Sequence, residues 1–391
     1  MDARTTALTN ATVFTGERVI EDCSLIVEKG RFGELVPHGP PPGGAEKVID
    51  LKGRRIAPGF IDLQVNGGGG VLFNNSPTVG ALSAMAAAHA RFGTTAFLPT
   101  IISDDYAIMR AAIGAVRQAR KEELSGVAGI HLEGPFLSPA RRGTHDAARL
   151  RALDEEAIEL LTSPRPDLVT LITLAPEKTT PERIARLCDT GAIVFGGHST
   201  ASYKQCLAAI DAGLGGFTHL FNGMEPIRGR DPGMVGAALD SPHCRFSIIA
   251  DGHHVHPALL RLAVQAGKGG RALLVTDAMP TLGSKNTSFE LYGETIELHQ
   301  GVLRDASGSL AGANLGMIDA VRNVMRFADL DWTEAVRMAS SYPARAIGVD
   351  KERGFIRPGY AADFVELGDD MALHRTWSGG EPVSDRPAML E

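Results

Sequence analysis

The sequence predicts an α/β protein in which a (β/α)8 TIM-like barrel carries a small, discontinuous β-sandwich domain formed by both ends of the chain. Short strand-like segments fill residues 1–57, and strands return in residues 351–391. Between them, residues 58–350 alternate apolar, strand-like runs with helical patterns, and eight such strands are present. Eight strand and helix units in a segment of this length are typical of the barrel fold.

The N-terminal strands are too few for a stable sandwich on their own, so they need partner strands from elsewhere in the chain. Glycine and proline turns divide them, above all in residues 37–44. The predicted strands are Ala7–Phe14, Arg18–Ile20, Cys23–Glu28, Arg31–Val36 and Lys47–Asp50, and the predicted C-terminal partners are Gly354–Ile356, Asp363–Leu367 and Ala372–Ser378.

The barrel strands are predicted from apolar runs that end in glycine or polar residues. They are Phe60–Val65, Thr94–Pro99, Gly126–Glu133, Leu168–Leu174, Ala192–Gly196, Gly215–His219, Arg245–Ala250 and Arg271–Asp277. Helical patterns separate most of them. The first is Thr78–Phe92, for which Ser76 is the expected N-cap and Pro77 lies in the first turn. A hairpin-like stretch, residues 287–310, interrupts the pattern and is expected to form a flap over the barrel mouth.

Composition and charge argue against several classes of protein. The net charge of −7 is unfavourable for a general nucleic-acid binder. The four cysteines are scattered without a CxxC pair, which indicates reduced thiols in a cytoplasmic protein rather than a disulfide framework. The N-terminal residues do not resemble a signal peptide, and the apolar runs are too short to span a bilayer, so no membrane partner is expected.

Polar residues at the carboxyl ends of the predicted strands are the candidates for an active site, because barrel enzymes place their sites there. The set is Gln64, Asn66, Glu133, His198, His219 and Asp277. Two histidines and a glutamate from separate strands form a three-ligand set that leaves a fourth position of zinc open. A single histidine would more often be a buried structural residue; three suitable ligands at three strand ends favour the metal site. Asp277 is either a helix N-cap or a general base beside the metal.

Other polar residues have weaker signals. His131 lies one layer below Glu133 on the same strand face and is expected to belong to the core. His145 lies in a polar loop and either enters the mouth or faces solvent. Asn222 and Arg230 follow the His219 strand, and the guanidinium of Arg230 suits a phosphate.

Several motifs together resemble the N-acetylglucosamine-6-phosphate deacetylase family of the amidohydrolase superfamily. The resemblance covers nearly the whole chain. Its superfamily-wide pieces are Pro58-Gly-Phe-Ile-Asp62 and Pro358-Gly-Tyr-Ala-Ala-Asp363; the pieces more specific to the deacetylases are His131-Leu-Glu-Gly-Pro-Phe136 and Thr218-His-Leu-Phe-Asn222.

The resemblance implies a role for each matching residue. Glu133, His198 and His219 match the metal ligands, and Asp277 matches the catalytic aspartate. Arg230 and His254 would hold the sugar phosphate, and which subunit supplies Arg230 is open. The positions that match substrate contacts are Thr144, His145, Asn222, Gly223, Arg230, His254, Leu310, Ala311 and Gly312, with His145 also near the oxyanion. The family further implies a homodimer or homotetramer.

One departure from the superfamily pattern concerns the metal count. Many amidohydrolases end strand one with His-x-His and bind two metals, whereas Gln64 and Asn66 occupy those positions here. Neutral amides are weak zinc ligands, so we expect one divalent metal per chain, with zinc first among zinc, iron, cobalt and manganese. Gln64 and Asn66 are then expected to line the substrate pocket.

The implied reaction is hydrolysis of the N-acetyl group of N-acetylglucosamine 6-phosphate to glucosamine 6-phosphate and acetate, by zinc-activated water with Asp277 as general base and then acid. The first alternative is another N-acetyl amino-sugar phosphate, such as the galactosamine epimer. A cyclic-amide hydrolase is disfavoured by Gln64, Asn66 and Glu133, since those enzymes usually carry the His-x-His pair and a bridging lysine. A non-catalytic binding protein is disfavoured because all four metal and acid–base residues are retained.

Overall fold

The computed structural model describes residues 5–40, 44–163 and 168–383 of the 391-residue chain. Residues 41–43 of the predicted turn at 37–44 and the outermost ends of the two terminal segments lie outside the described residues. The N-terminal strands are β1 Thr6–Phe14, β2 Val19–Glu28, β3 Arg31–Pro37, β4 Lys47–Asp50 and β5 Arg55–Pro58. The two predicted strands between residues 18 and 28 are therefore one strand.

The middle of the chain alternates strands and helices. The strands are β6 Phe60–Val65, β7 Gly67–Gly68, β8 Val71–Leu72, β9 Thr94–Ile102, β10 Gly129–Glu133, β11 Val169–Leu174, β12 Ile193–Gly196, β13 Gly216–Phe217, β14 Arg245–Ile249 and β15 Ala272–Val275. The helices are α1 Val79–Ala90, α2 Tyr106–Lys121, α3 Glu155–Thr162, α4 Pro181–Asp189, α5 Tyr203–Asp211, α6 Gly233–Asp240 and α7 Pro257–Ala266.

Eight of these strands form a parallel sheet in the order β15-β14-β13-β12-β11-β10-β9-β6, which confirms the predicted barrel. The last strand returns to the first through a parallel bridge between Val65 and Ala278 and a hydrogen bond from Asp277 N to Gln64 O. Below this seam the buried carboxylate of Asp62 accepts hydrogen bonds from Thr276. The seam places Gln64 and Asp277, which are far apart in sequence, side by side at the mouth.

The rest of the chain supplies the flap, three helices and the partner strands. The elements are β16 Ser288–Leu291, β17 Glu294–His299, β18 Val302–Arg304, α8 Met317–Ala328, α9 Trp332–Ala339, α10 Ser341–Ala346, β19 Phe364–Leu367, β20 Leu373–Ser378 and β21 Glu381–Pro382. Strands β16–β18 form a separate three-stranded antiparallel sheet, called the flap below.

Strands from both termini share one sheet, as predicted. Its order is β21-β20-β19-β5-β1-β2-β3, with β4 also paired to β1. Strand β19 pairs antiparallel with β5, which leads directly into the barrel. A separate apolar cluster that includes Phe32, Phe364 and Trp377 fills this unit. The predicted strand Gly354–Ile356 is wrong, because Gly354 turns the backbone with φ +81° and Ile356 makes a single backbone bond to Thr15.

Two helix predictions need correction. The N-cap of α1 is Thr78 rather than Ser76: Thr78 has extended backbone and its hydroxyl accepts a hydrogen bond from Ala81 N at 3.2 Å. Pro77 therefore precedes the helix. Helix α6 was not predicted, because its two glycines weaken the helical signal and almost every residue in it is buried, which removes the amphipathic pattern.

Strand β9 continues three residues beyond its predicted end at Pro99. Residues Thr100–Ile102 pair with His131–Glu133 on β10, so the strand reaches the rim of the barrel. Ser103 consequently stands at the mouth beside Glu133. None of the helices in the described part of the chain combines the length and apolar character that crossing a membrane requires.

Candidate active site

Three ligand atoms converge at the barrel mouth. Glu133 is the last residue of β10, and His198 and His219 follow β12 and β13 by two residues. All three side chains are buried. Glu133 Oε1 lies 3.2 Å from His198 Nε2 and 2.9 Å from His219 Nε2, and the two ring nitrogens are 3.0 Å apart. Within the described residues this is the one group of histidines, cysteines and carboxylates able to hold a metal ion.

The residues present fit a divalent metal. Ligands placed about 2.0–2.1 Å from a tetrahedral ion lie roughly 3.3 Å from each other, close to the spacing observed here. The Nδ1 of His198 lies 2.8 Å from the carbonyl of Arg141, to which it donates, so Nε2 is the ring nitrogen left to bind a metal ion. Burial disfavours the charge on Glu133, but the hydrogen bonds from both histidines hold the pKa of Glu133 well below its usual range. The centre is thus a carboxylate with two imidazoles.

Gln64 ties this centre to Asp277. Its Nε2 donates to Glu133 Oε2 and to Asp277 Oδ1, each at 3.0 Å, and Asn66 Nδ2 donates to the same Asp277 oxygen at 2.6 Å. Both amides therefore present N–H groups to the carboxylates.

Asp277 is the acid–base candidate with a perturbed environment. Burial, followed by the negative charge of Glu133, raises the pKa of Asp277 to about 6. Its backbone has a left-handed φ of +53°, and those of His198 and His219 are also left-handed, at +47° and +33°. Such backbone costs about 1–3 kcal/mol for a non-glycine residue and is frequent at functional sites. Strain at these three residues supports a functional role for them.

His145 enters the mouth from the loop after β10. Its Nδ1 lies 3.2 Å from the backbone N of Ser103 and 2.7 Å from the Ser103 hydroxyl. Because a backbone N–H can only donate, Nδ1 carries a lone pair and the proton resides on Nε2. Burial and the neighbouring His198 lower the pKa of His145 to about 3, so the ring is a neutral donor. The His145 and His198 rings lie 4.5 Å apart.

These residues line a cavity of about 160 Å³. The lining includes most of the predicted substrate positions together with two apolar residues, Ile102 and Met279, that were not predicted: Asn66, Ile102, Glu133, Gly143, Thr144, His145, His198, His219, Asn222, Gly223, His254, Asp277, Met279, Leu310 and Gly312. In a sequence, an apolar residue near a strand end cannot be told from a residue of the hydrophobic core. The sequence therefore carries no signal that Ile102 or Met279 lines the cavity.

Three predicted contacts lie outside the lining. Gln64 is buried behind Glu133 and Asp277, and Ala311 packs in the apolar cluster beneath the flap. Arg230 lies exposed on the loop before α6. His131, expected in the core, is fully buried and bonds to Thr173 at 2.8 Å and Thr100 at 3.3 Å.

His254 also lines the cavity, and its ring is held by Asp251. Its Nδ1 lies 2.6 Å from Asp251 Oδ2, while Asp251 Oδ1 accepts the backbone N–H groups of His253 and His254. Although burial opposes it, the hydrogen bond from His254 leaves the pKa of Asp251 below its usual value. The pair leaves Nε2 of His254 free to meet an anion in the cavity.

The fold and the site agree with comparisons to known proteins. The chain matches the amidohydrolase family over residues 55–383. It is 44% identical to an N-acetylgalactosamine-6-phosphate deacetylase of Shewanella sp. (strain ANA-3), over 95% of this chain and 94% of that protein. It is 34% identical to the N-acetylglucosamine-6-phosphate deacetylase of Haemophilus influenzae, over 92% and 94% of the two chains.

A solved structure is similar throughout. The crystal structure of N-acetylglucosamine-6-phosphate deacetylase from Pasteurella multocida superposes with a TM-score of 0.92 at 36% identity, over 97% of this chain and 99% of that chain. With the barrel, the buried Glu-His-His centre and these matches over almost the full length, the chain belongs to the amidohydrolase family.

Proposed function

We propose that this chain hydrolyses the N-acetyl group of N-acetylglucosamine 6-phosphate, giving glucosamine 6-phosphate and acetate. The observation that carries the proposal is the convergence of the Glu133-His198-His219 centre with Asp277, His145 and His254 around one cavity. Relatives and a solved structure named as amino-sugar-6-phosphate deacetylases support the substrate class.

The residues divide the reaction between them. A divalent metal held by Glu133, His198 and His219 would supply Lewis-acid activation of water and of the amide carbonyl. Asp277 accepts a proton from the attacking water, for which a pKa near 6 is well matched. The Nε2–H of His145 donates to the oxyanion that develops on the acyl oxygen. Asp277 then returns its proton to the leaving nitrogen, and amine and acetate separate.

The phosphate is proposed to lie against His254. The ring already donates from Nδ1 to Asp251, so its Nε2 can add a hydrogen bond to a phosphate oxygen. Arg230 is exposed on a loop that also exposes Ile227, and it does not line the cavity of its own chain. We propose that Arg230 contacts the phosphate in the site of the neighbouring subunit of a homodimer.

One zinc ion per chain is the proposed metal content. The donor set of two imidazoles and a carboxylate is usual for catalytic zinc. Neutral amides are weak zinc ligands, and the amides of Gln64 and Asn66 already donate hydrogen bonds to Glu133 and Asp277. The buried or half-buried free cysteines are consistent with the proposed cytoplasmic location.

The galactosamine epimer is the second candidate substrate. The Shewanella relative, at 44% identity, is named for N-acetylgalactosamine 6-phosphate, whereas the Haemophilus relative, at 34%, is named for the glucosamine compound. The two sugars differ in one hydroxyl orientation, so they share the same reacting amide and phosphate.

The first prediction is that purified, metal-quantified protein releases acetate from N-acetylglucosamine 6-phosphate and much less from N-acetylglucosamine. The non-phosphorylated sugar loses the contacts at His254, so its kcat/KM should fall by at least about a hundredfold, as loss of hydrogen bonds to a charged group predicts. Parallel assays on N-acetylgalactosamine 6-phosphate and N-acetylgalactosamine give the kcat/KM for the second epimer. The epimer with the higher kcat/KM is the preferred substrate. No acetate from any of the phosphorylated sugars would refute the proposed function.

The second prediction concerns Asp277→Asn. The amide cannot accept the proton of water, so kcat should fall about a hundred- to ten-thousandfold while the fold and bound metal are retained. Steady-state kinetics, circular dichroism and metal analysis check the three quantities. Asp319→Asn, which alters an ion pair with Arg322 on α8, is the matched control and should keep full activity. Near-normal turnover of the Asp277 variant would rule out its proposed role.

The third prediction concerns Gln64→Leu, which removes the donor to Glu133 and Asp277. Loss of a hydrogen bond to a metal ligand should weaken metal affinity about ten- to a hundredfold. Titration of the metal-free protein against a competing chelator measures the change. Gln118→Leu is the control, since Gln118 makes a comparable bond to Glu122 at 2.6 Å on the exposed face of α2. Equal affinity in the Gln64 variant and wild type would contradict the proposed bridging role.

A further inference from the structure

The flap contacts the active site through its apolar underside. Leu291, Ile296 and Leu303 of the flap pack in one cluster with Ile102 and Met279, and the last two residues also line the catalytic cavity. The flap thus covers the rim at the end of β9, where Ser103 supports His145.

The turn between β16 and β17 carries an unusual residue. Tyr292 and Gly293 have φ values of +52° and +81°, so both central positions of this two-residue turn are left-handed. Asparagine, aspartate and glycine are preferred in such turns, and a tyrosine there is strained. The hydroxyl of Tyr292 donates a hydrogen bond to the carbonyl oxygen of Ser103. The strained backbone therefore holds a side chain that makes a specific polar contact with the barrel rim.

Ser103 makes contacts in two directions. Its carbonyl accepts from Tyr292 of the flap, and its N–H and hydroxyl meet Nδ1 of His145 at 3.2 and 2.7 Å. The preceding residue, Ile102, is clamped by Asn74, whose amide bonds both its carbonyl oxygen and its N–H. Asn74 thus fixes the backbone of Ile102, and Tyr292 fixes the carbonyl of Ser103. Ser103 in turn makes the two hydrogen-bond contacts to Nδ1 of His145.

We propose that Tyr292 is a positioning residue for catalysis: by holding the backbone of Ser103, it fixes the ring of His145 with Nε2–H presented to the acyl oxygen of the substrate. The flap is then a functional part of the site, since its seating determines the orientation of the oxyanion donor. This inference rests on the proposed deacetylase function. Tyr292 itself lines the neighbouring groove rather than the catalytic cavity, so it acts through Ser103 and His145.

Tyr292→Phe tests the proposal because it removes one hydroxyl and keeps the ring. Loss of this single hydrogen bond should lower kcat about three- to tenfold, with KM changed less than about twofold. The matched control is Asn75→Ala, which removes another contact of the flap, from Asn75 Nδ2 to the Glu290 carbonyl at 3.1 Å, without touching Ser103. The control should keep the kcat of the wild type.

A double variant separates positioning of His145 from a general loosening of the flap. If Tyr292 acts through His145, adding Tyr292→Phe to His145→Ala should cause little further loss of kcat, because alanine has no donor for the acyl oxygen. The inference would be overturned if the two substitutions lowered kcat independently, so that the loss in the double variant equalled the product of the two single losses. A Tyr292→Phe enzyme with the full kcat of the wild type would also overturn it. Either result would leave the deacetylase function intact.

The inference can also be tested if the wild-type enzyme releases no acetate, the outcome that refutes the proposed function. Nitrogen-15 NMR of the His145 ring in the metal-loaded protein reports the hydrogen bond at Nδ1 without turnover. The proposal predicts a changed Nδ1 signal in Tyr292→Phe and an unchanged one in Asn75→Ala. Identical His145 signals in wild type and Tyr292→Phe would contradict it.

Discussion

The mouth of the barrel is organised around the buried negative charge of Glu133. A carboxylate removed from water is costly unless charges and hydrogen bonds compensate it. His198 and His219 meet one of its oxygens and the Gln64 amide meets the other. Each compensating group arrives from a different strand, so the closed parallel barrel is what makes the centre possible. Because the Gln64 amide also binds Asp277, the proposed metal ligand Glu133 and the proposed base are tied together through one side chain.

This arrangement explains why two neighbouring carboxylates can have opposite properties. Glu133 is stabilised as an anion by two histidines, whereas Asp277 is buried beside that anion and is more easily protonated. Groups whose environments push their pKa values apart are typical of acid–base sites. The flap is connected to His145, the proposed oxyanion donor, through the rim residue Ser103.

Much of the barrel and its centre could be predicted from sequence, because apolar strands ending in histidine or carboxylate residues are a strong local signal. The features that the sequence did not predict depend on contacts between residues far apart in the chain. Pro99 concealed the continuation of β9, so Ser103 was not recognised as a rim residue although it contacts His145. Gln64 was placed at the site, but its hydrogen bonds to Glu133 and Asp277 follow from barrel closure, which no local pattern encodes. The exposed position of Arg230 likewise depends on the path of its loop.

The central claim is that one metal ion is held by Glu133, His198 and His219 while Gln64 and Asn66 exclude a second. Anomalous X-ray diffraction at the absorption edge of the metal, from crystals of the protein as purified, tests it most directly. The account predicts one strong peak per chain, within coordination distance of Glu133 Oε1, His198 Nε2 and His219 Nε2. A second peak of comparable height beside Gln64 and Asn66, or no peak at the three ligands, would contradict it.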